Sequence, residues 1–426
     1  MSGGRGRGSR AAAWVAGCLG LCAFSAMSCG ASQQRTASDP QAGAPAGTTA
    51  TPKQQTTTQR PAPAHAASRR PVKNYYVSRK GSDGHDGSRR RPWRTLAHAA
   101  THAGPGSAVH VASGRYPGPL VLSRNGRPGR RIRFVASHPG GARITATSSG
   151  SLAVVEVSGD YVDLEGFDVS GQGGDGTAGI VVPGSHVRII GNRVHDVLVA
   201  CNGGTNGGGG IVAGGGLPDY RNHDIQVIGN LVHDVVGTPT RRCEGVQGIY
   251  ASVARVLITN NVVYRNAHDC ITSWHAATEL TISNNTAVDC PGAGITIGSG
   301  GPGATARGNV RTLVSNNLVF GNGQGIVETS DGEHHVGPGN RFLNNLVYRS
   351  GNGAPSRGAL VRGTVSSDPR LASAARGYRL TAGSAAIDAG TTTGAPRSDY
   401  DGVRRPQGQG IDIGAYEWRP PARSTP

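Results

Sequence analysis

Aromatic side chains, closely spaced cysteine pairs and long apolar segments are all scarce in this sequence. Phe, Tyr and Trp make up 5% of the 426 residues, so the basic stretches lack the interleaved aromatic residues that nucleic-acid-binding surfaces use. No CxxC pair occurs, and the cysteine spacings match no common zinc motif. Only one segment, close to the N-terminus, is apolar enough to be considered as a membrane span. These absences argue against a nucleic-acid-binding protein, a cysteine-based zinc domain and a protein with several membrane spans.

The first 30 residues have the layout of an export signal. Arg5, Arg7 and Arg10 precede the apolar run AAAWVAGCLGLCAFSAM, and Cys29 follows, succeeded by small residues. The run is short and rich in small residues, so we interpret 1–30 as a signal peptide, with an uncleaved anchor as the alternative. The AMSC box also resembles a lipoprotein cleavage box, which would place a lipid on Cys29. We therefore expect a secreted or extracellular protein, tethered to the outer face of the membrane if that lipid is present.

The next segment has too few large apolar side chains to fold by itself. Residues 31–72 are rich in Thr, Ala, Pro and Gln, a composition that predicts a disordered linker. The folded body is predicted to span 73–420, and 421–426 to form a disordered tail.

Positive charge is concentrated at the start of the folded body. The net charge is +17, and between Arg69 and Arg133 there are 15 Lys or Arg residues against only Asp83 and Asp86. Such a surface attracts polyanions. Without a nucleic-acid motif, we expect an acidic polysaccharide or cell-wall polymer as partner rather than nucleic acid. We expect the protein to be a monomer.

An Asn-centred strand motif recurs along the chain. The segments HVRIIGNRVHD, DIQVIGNLVHD, RVLITNNVVYRN, TELTISNNTAVD, RTLVSNNLVFGN and GNRFLNNLVYRS align on Asn192, Asn230, Asn261, Asn285, Asn317 and Asn345. The intervals between these residues vary, which indicates short coils with insertions of different length.

The phase of the apolar residues predicts how each coil is built. Positions five and three before each Asn are mostly apolar, as in Val187 and Ile189, and alternate residues of a strand point to the same side. Another apolar column begins two positions after the Asn, so the chain must bend at that Asn, a residue that tolerates the left-handed region. A third strand in each coil begins at Ile180, Ile211, Ile249, Ile271, Ile295 and Ile326.

Three short strands per coil predict an all-β fold, a right-handed parallel β-helix. The open ends of such a stack need caps. The stretch PWRTLAHAATHA, with Leu96, Ala99 and Ala100 on one face, predicts a short helix that caps the N-terminal end. We expect the ending of the chain to form the C-terminal cap.

Four of the seven cysteines, Cys201, Cys243, Cys270 and Cys290, lie in the folded body. An even number in an exported chain favours disulfides. We expect Cys201 to pair with Cys243 and Cys270 with Cys290, because each pair lies in loops of consecutive coils.

Three segments of the chain carry a family resemblance. They are YYVSRKGSDGHDGSRRRPWRTLAHAATHAGPGSAVHVASGRYPG, CITSWHAATELTISNNTAVDC and GSAAIDAGTTTGAPRSDYDGVRRPQGQGIDIGAYEW. They resemble secreted bacterial β-helix proteins related to the pectate-lyase-like superfamily of polysaccharide lyases. Together they cover nearly everything from Asn74 to Trp418. The resemblance implies the β-helix fold and, since one fold hosts several chemistries, makes polysaccharide activity an expectation only.

One feature of the resembled lyases is missing. In that group a Lys typically abstracts the C5 proton of a uronate, while calcium held by Asp neutralises its carboxylate. The only lysines here are Lys53, Lys73 and Lys80, which lie outside the Asn-marked coils. The resemblance therefore transfers no catalytic Lys, and a lyase would need Arg or His as its base.

Titratable side chains recur just after the aligned Asn. His195 and Asp196 in one coil correspond to His233 and Asp234 in the next, followed by Tyr264 and Arg265. Stacking would place the two Asp residues roughly 4.8 Å apart, where they must share a proton, bind a cation such as calcium, or pair with the Arg. The alternative is that each Asp only caps a turn.

A second group of candidate residues, Asp269, Trp274 and His275, lies further along the repeat. The Trp274 indole is suited to stacking on a sugar ring, and the alternative is that it packs between coils. Our predictions are catalytic roles for Asp196, His233, Asp234, Arg265 and Asp269, substrate binding by His195, Trp274 and His275, and a calcium site at Asp196 and Asp234.

Two functions agree with these features. The first is an exported enzyme that cleaves an acidic, uronate-containing glycan by a lyase-type or hydrolytic reaction. The second is a non-catalytic protein that binds a glycan or the cell wall. The paired His-Asp columns favour the enzyme, and the missing Lys favours the binding protein.

Overall fold

The computed structural model describes residues 72–146, 153–172, 178–200, 208–215, 220–238, 243, 245–304, 307–351 and 359–420. The predicted signal peptide, nearly all of the linker and the predicted tail lie outside these ranges. Within them, no helix has the length and apolar character needed to cross a membrane.

Short strands are the main regular secondary structure of the described chain. In chain order they are β1 (Lys73–Val77), β2 (Ser107–Val111), β3 (Gly114–Pro117), β4 (Leu120–Val121), β5 (Ile132–Ala136), β6 (Ala142–Ala146), β7 (Ala153–Glu156), β8 (Val162–Glu165), β9 (Asp168–Gln172), β10 (Ala178–Val182), β11 (Arg188–Ile190), β12 (Arg193–Ala200), β13 (Gly208–Ala213), β14 (Gln226–Ile228), β15 (Leu231–Thr238), β16 (Val246–Ala251), β17 (Leu257–Thr259), β18 (Val262–Tyr264), β19 (Ile271–Ser273), β20 (Thr281–Ser283), β21 (Thr286–Val288), β22 (Ala293–Ser299), β23 (Leu313–Ser315), β24 (Leu318–Phe320), β25 (Gln324–Ser330), β26 (Arg341–Leu343), β27 (Leu346–Tyr348) and β28 (Leu360–Arg362). A helix, α1 (Leu96–His102), lies between β1 and β2, and a 3₁₀ turn spans Ala374–Arg376.

The strands form three parallel sheets that the chain visits in turn. Sheet 1 contains β1, β2, β5, β8, β11, β14, β17, β20, β23, β26 and β28, sheet 2 contains β3, β6, β9, β12, β15, β18, β21, β24 and β27, and sheet 3 contains β4, β7, β10, β13, β16, β19, β22 and β25. Each coil therefore contributes one strand to each sheet, as β11, β12 and β13 do. The predicted parallel β-helix with three strands per coil is confirmed.

The predicted inward columns form the core. Val187 and Ile189 in sheet 1 and Val194 in sheet 2 are fully buried. In sheet 3 the six predicted Ile residues pair in register from coil to coil, beginning with Ile180 beside Ile211. Because β-branched residues fill the interior at every level, each coil buries its neighbours' apolar faces.

A ladder of buried Asn side chains holds the corner between sheets 1 and 2. The six aligned Asn residues are at most 3% exposed, and each of the first five donates from its amide Nδ2 to the Oδ1 of the next Asn. The left-handed residue at this corner is the one before the ladder Asn, for example Gly191 or Asn260, and not the ladder Asn itself. The bend is thus one residue earlier than the sequence suggested, which leaves the ladder side chain free to point into the core.

Helix α1 begins four residues after Pro92. Thr95 is its N-cap, and the Thr95 hydroxyl accepts a hydrogen bond from the His98 N–H at 3.1 Å. Leu96, Ala99 and Ala100 are buried in the main core cluster, as the spacing predicted.

The ending of the chain takes a path that the sequence did not reveal. Segment 365–418 lies along the outside of sheet 2, where Tyr378, Leu380 and Ile413 pack on outward-facing residues of β18, β21, β24 and β27. Outward-pointing Asn side chains anchor it from four coils, through Asn260 to Ser398, Asn284 to Asp412, Asn316 to Thr391 and Asn344 to Ala389. We expected a C-terminal cap, and the segment instead covers the side of several coils.

One of the two expected disulfides lies within the described residues. Cys270 and Cys290 are bonded, with their Cα atoms 5.6 Å apart, as predicted. Both are buried in the solenoid rather than in surface loops, and Cys290 occupies a place in an inner column next to Asn322, whose Oδ1 accepts from the Cys290 N–H at 2.9 Å. The predicted bond between Cys201 and Cys243 involves Cys201, which lies outside the described residues.

Candidate functional site

The outer face of sheet 2 carries a stack of rings. His195 on β12 pairs in register with His233 on β15, which pairs with Tyr264 on β18. The ring centroids of the two His residues are 5.3 Å apart, and those of His233 and Tyr264 are 4.8 Å apart, with nearly parallel planes. Tyr378 from the C-terminal segment meets Tyr264 edge-on at 5.1 Å. The predicted columns therefore stack, and the C-terminal segment closes one end of them.

Each of these His residues binds the Asp that follows it. The Nδ1 atoms of His195 and His233 lie 2.7 Å from Oδ2 of Asp196 and Asp234, respectively. Both Asp residues have a positive φ within their strands, β12 and β15, and the pairing of β12 with β9 shifts register between His195 and Val197.

The two carboxylates differ in their surroundings. The Asp196 side chain is 72% exposed, whereas Asp234 accepts two hydrogen bonds from the Arg265 guanidinium, at 3.1 and 2.6 Å. Of the three arrangements considered from the sequence, pairing with Arg265 is the one observed for Asp234. Calcium binding by the two Asp residues stays a prediction.

Two further residues complete this site and were missed in the sequence. Asp168 on β9 is buried, and its Oδ1 lies 3.1 Å from His195 Nε2. Arg193 donates from Nε to His233 Nε2 at 3.4 Å, and its Nη1 lies 3.6 Å from Asp168 Oδ2. The coil of Asp168 has Phe167 where later coils have the ladder Asn, so an alignment on Asn passes over it. An alignment on the apolar columns, continued one coil towards the N-terminus, would have placed Asp168 in line with Arg193.

The surroundings displace the two imidazole pKa values in opposite directions. The hydrogen bond to Asp168 raises the pKa of His195, and the contact with Asp196 adds to this effect. Burial lowers the pKa of His233, although Asp234 opposes the shift. His195 therefore keeps its proton to a higher pH than His233 does.

An open groove of about 680 Å³ continues from this stack along the corner between sheets 2 and 3. Asp234, Arg265 and Asp289 line its wall with the turn 321–323. Asp289 accepts a hydrogen bond from the Tyr378 hydroxyl at 3.0 Å, so the C-terminal segment contacts one of the residues that line the groove. The groove crosses successive coils and is therefore parallel to the solenoid axis.

Asp269 lies in a different environment from the His stack. It is 5% exposed, and its carboxylate accepts hydrogen bonds from the hydroxyls of Thr272 and Thr296 and from the Ala293 N–H, all within 2.8 Å. These bonds join two coils at the edge of sheet 3. The observed contacts of Asp269 are those of a residue that ties coils together.

Trp274 and His275 follow β19 in sheet 3, whereas the His stack is on sheet 2. The Trp274 indole packs so closely on Gly298 that an added Cβ there would lie 2.2 Å from its Cε3. The His275 ring stacks on Tyr220 at 4.8 Å and meets Tyr250 edge-on at 6.2 Å. The structure thus places Trp274 and His275 apart from His195 and His233, with His275 in an aromatic cluster with Tyr220 and Tyr250.

Comparisons with known proteins agree with the fold. Residues 143–347 match the protein family described as right handed beta helix region. The crystal structure of pectate lyase Pel9A superposes with a TM-score of 0.53 at 18% identity, covering 82% of this chain and 97% of that chain. The chain is therefore a right-handed parallel β-helix protein with a pectate-lyase-like fold, as the sequence resemblance implied.

Other similarities are more limited. The GH136 lacto-N-biosidase from Eubacterium ramulus has a TM-score of 0.39 at 13% identity, with 69% of this chain and 67% of that chain covered. The uncharacterized protein YwoF of Bacillus subtilis (strain 168) is 41% identical over 59 residues, which are 14% of this chain and 13% of that protein. The match with YwoF thus concerns a small part of both chains.

Proposed function

We propose that this is an exported polysaccharide-active protein that binds an acidic glycan along the outer face of sheet 2 and cleaves it with His195 and His233. The observation that supports this proposal is the pair of stacked imidazoles in adjacent coils whose pKa values move apart. Titratable groups that neighbour each other with opposite pKa shifts are the arrangement that acid-base catalysis requires.

We base the proposed role of each imidazole on its hydrogen-bond contacts. His233 Nδ1 faces Asp234, and Nε2 accepts from Arg193, so the neutral ring holds its lone pair on Nε2. When Arg193 turns from Nε2 to the substrate carboxylate, that lone pair becomes free, and Nε2 is the base that removes the C5 proton of a uronate in an elimination or a proton from water in a hydrolysis. His195, held between two carboxylates, is the acid that protonates the leaving oxygen.

Substrate binding follows from the repeat. Coils stacked at roughly 4.8 Å match the rise of one sugar unit, so a glycan parallel to the axis meets equivalent positions in successive coils. The half-exposed guanidinium groups of Arg193 and Arg265 are placed to bind uronate carboxylates. Calcium at Asp196 remains part of the proposal, because this exposed carboxylate can share a cation with a substrate carboxylate.

A second function is supported by a different observation. The His233 side chain is only 7% exposed, and Asp234 is already paired with Arg265. A ring that substrate cannot reach would make the stack a structural element and the groove a binding site for an uncleaved glycan.

The experiment that separates these functions follows products and binding together. The mature protein is incubated with a panel of acidic polysaccharides, with and without a calcium chelator, and unsaturated products and reducing ends are measured. Unsaturated ends indicate elimination, and new reducing ends without them indicate hydrolysis. Binding without either product supports the non-catalytic function.

Variants then locate the site. We expect His233→Ala and Asp234→Asn to lose turnover, or glycan affinity if the parent shows no turnover. His110→Ala is the matched control, because it removes an imidazole that stacks on Tyr76 outside the site. If both site variants equal the parent on a glycan that the parent recognises, the stack is not the site.

Export is proposed on the N-terminal sequence alone. Intact-mass measurement of the mature protein tests it, since a cleaved signal peptide shortens the chain and a lipoprotein carries a diacylglyceryl adduct on Cys29. A full-length mass without an adduct would contradict both forms of processing.

A further inference from the structure

A second cluster of titratable residues lies at the turn that precedes sheet 1, on two adjacent coils. His186 belongs to one coil, and His223 and Asp224 belong to the next. Oδ2 of Asp224 lies 2.7 Å from Nδ1 of His223 and 3.6 Å from Nδ1 of His186. One ligand atom from each of the three residues lies within 4.8 Å of the other two. The solenoid thus brings two imidazoles and a carboxylate to one point.

The surrounding residues hold these groups in place. The His186 ring stacks on Tyr161 of the preceding coil at 4.4 Å, and the His223 ring meets His186 edge-on at 5.1 Å. The Arg255 guanidinium donates two hydrogen bonds to Asp224, at 2.8 and 3.1 Å. Partners of this kind orient a ligand before any metal binds.

We infer that His186, His223 and Asp224 form a binding site for a zinc-type divalent cation. Imidazole nitrogen is a borderline ligand that suits zinc and neighbouring transition metals, whereas calcium selects oxygen. Two His residues and one carboxylate occupy three positions of a tetrahedral ion and leave the fourth for water or an exogenous ligand.

The distances fit this assignment. Ligand bonds of about 2.0–2.1 Å in a tetrahedron place the ligand atoms roughly 3.4 Å apart. The observed separations of 2.7 and 3.6 Å lie on either side of that value, and the ion would release to solvent the proton of the shorter contact, which is a His223–Asp224 hydrogen bond. The three side chains are each about one-third exposed, so an ion reaches them from solvent.

Arg255 does not exclude the ion. A carboxylate offers about four lone-pair directions across its two oxygens, and the guanidinium occupies two of them. The guanidinium charge weakens the attraction for a cation, so we expect the nitrogen ligands to dominate binding. Replacing the two His residues is therefore the strongest test of the site.

Metal binding is measured on the mature protein prepared without a polyhistidine tag. Zn²⁺ is added after chelator treatment, and bound metal is counted by elemental analysis after dialysis and by calorimetry. We expect one Zn²⁺ at this cluster. Co²⁺ in its place should give the visible absorption of a tetrahedral N/O site.

The His186→Ala/His223→Ala double variant should lose this ion, with affinity falling by more than roughly 100-fold, since even outer-shell partners contribute 10- to 100-fold. Asp224→Asn is a second variant that keeps both imidazoles and should weaken binding. Circular dichroism and thermal melting in the absence of metal show that each variant is folded.

Two controls make the result decisive. His110→Ala removes an imidazole elsewhere on sheet 1 and should leave binding unchanged. His334→Ala alters a second cluster, in which Asp331, Glu333 and His334 also lie within 4.8 Å. If His334→Ala abolishes binding and the double variant retains it, the ion belongs to that loop and the inference is wrong. Absence of stoichiometric Zn²⁺ binding by the folded parent would overturn it as well.

Discussion

Replacing one Asn of the buried ladder should destabilise the whole solenoid. Asn285 is fully buried in the middle of the ladder, and its Oδ1 accepts hydrogen bonds from the backbone N–H and the amide of Asn261, both at 2.9 Å. Its own amide donates to the Ile258 carbonyl and to Asn317, again at 2.9 Å. The substitution Asn285→Ala removes all four bonds.

The magnitude follows from the groups that remain. The Asn261 amide keeps two carbonyl partners, from Val227 and Thr259, so it stays satisfied. The Asn261 N–H loses the partner that Asn285 supplied and cannot reach water, whereas the Ile258 carbonyl stays within the paired strands β17 and β20. A buried polar group left without a partner costs about 1–3 kcal/mol, so this one group predicts a loss of about 1–3 kcal/mol. That is a large fraction of the roughly 5–15 kcal/mol by which domains are stable.

Chemical denaturation and thermal melting of the parent and the variant measure this loss, and amide hydrogen exchange shows whether the coil of Asn261 opens first. Asn74→Ala is the matched control, because it makes the same chemical change at an exposed position of strand β1, where the free energy of unfolding should change by no more than about 0.5 kcal/mol. If the folded Asn285→Ala protein loses less than about 1 kcal/mol of unfolding free energy, the ladder is not needed to satisfy the buried backbone groups at the corner, and the argument is refuted.

Three other outcomes test separate parts of the structure. Replacing Cys270 and Cys290 together by Ala should lower the free energy of unfolding by about 2–4 kcal/mol, measured by denaturation of the oxidised parent and the variant, and free thiols in the parent would contradict the bond. Because the folded-state pKa of His195 is raised, its stabilising contribution is present below the unfolded pKa and is lost as pH rises through the folded pKa. His195→Gln should therefore lower the free energy of unfolding more at pH 5.5 than at pH 8. An equal loss at both pH values, measured by denaturation, would contradict this reasoning. Arg405→Met leaves Glu417 buried without its partner, which costs about 3–5 kcal/mol, and limited proteolysis should then release the C-terminal segment that resists cleavage in the parent.

Much of the fold could be predicted because it repeats. The apolar residues at Val187, Ile189 and Val194 recur with the same phase in later coils, and strand geometry alone decides that such residues face one side. In a parallel stack, equal positions pair in register, so His195 could be placed beside His233 without coordinates. Helix α1 was also predictable, since its apolar spacing is local to seven residues.

The candidate site was only partly visible in the sequence. The order of coils placed the His-Asp pairs together, but Asp168 was missed because its coil lacks the ladder Asn. Trp274 and His275 lie close to the site in sequence, yet they follow a strand of sheet 3 and face other neighbours. Whether a residue joins the site depends on which of the three sheets carries it, and less on how far it lies from the other site residues along the chain.

The sequence by itself determined the coil, its inward columns and the stacking of equivalent residues, because these depend on periodic local geometry repeated through register. Only the tertiary structure decided where the non-repeating parts go. Segment 365–418 covers sheet 2 because Asn260, Asn284, Asn316 and Asn344 offer outward amides to it, and no periodicity specifies that docking. His186 and Asp224 likewise meet through an insertion of irregular length, so their contact depends on how the whole coil closes rather than on spacing in the chain.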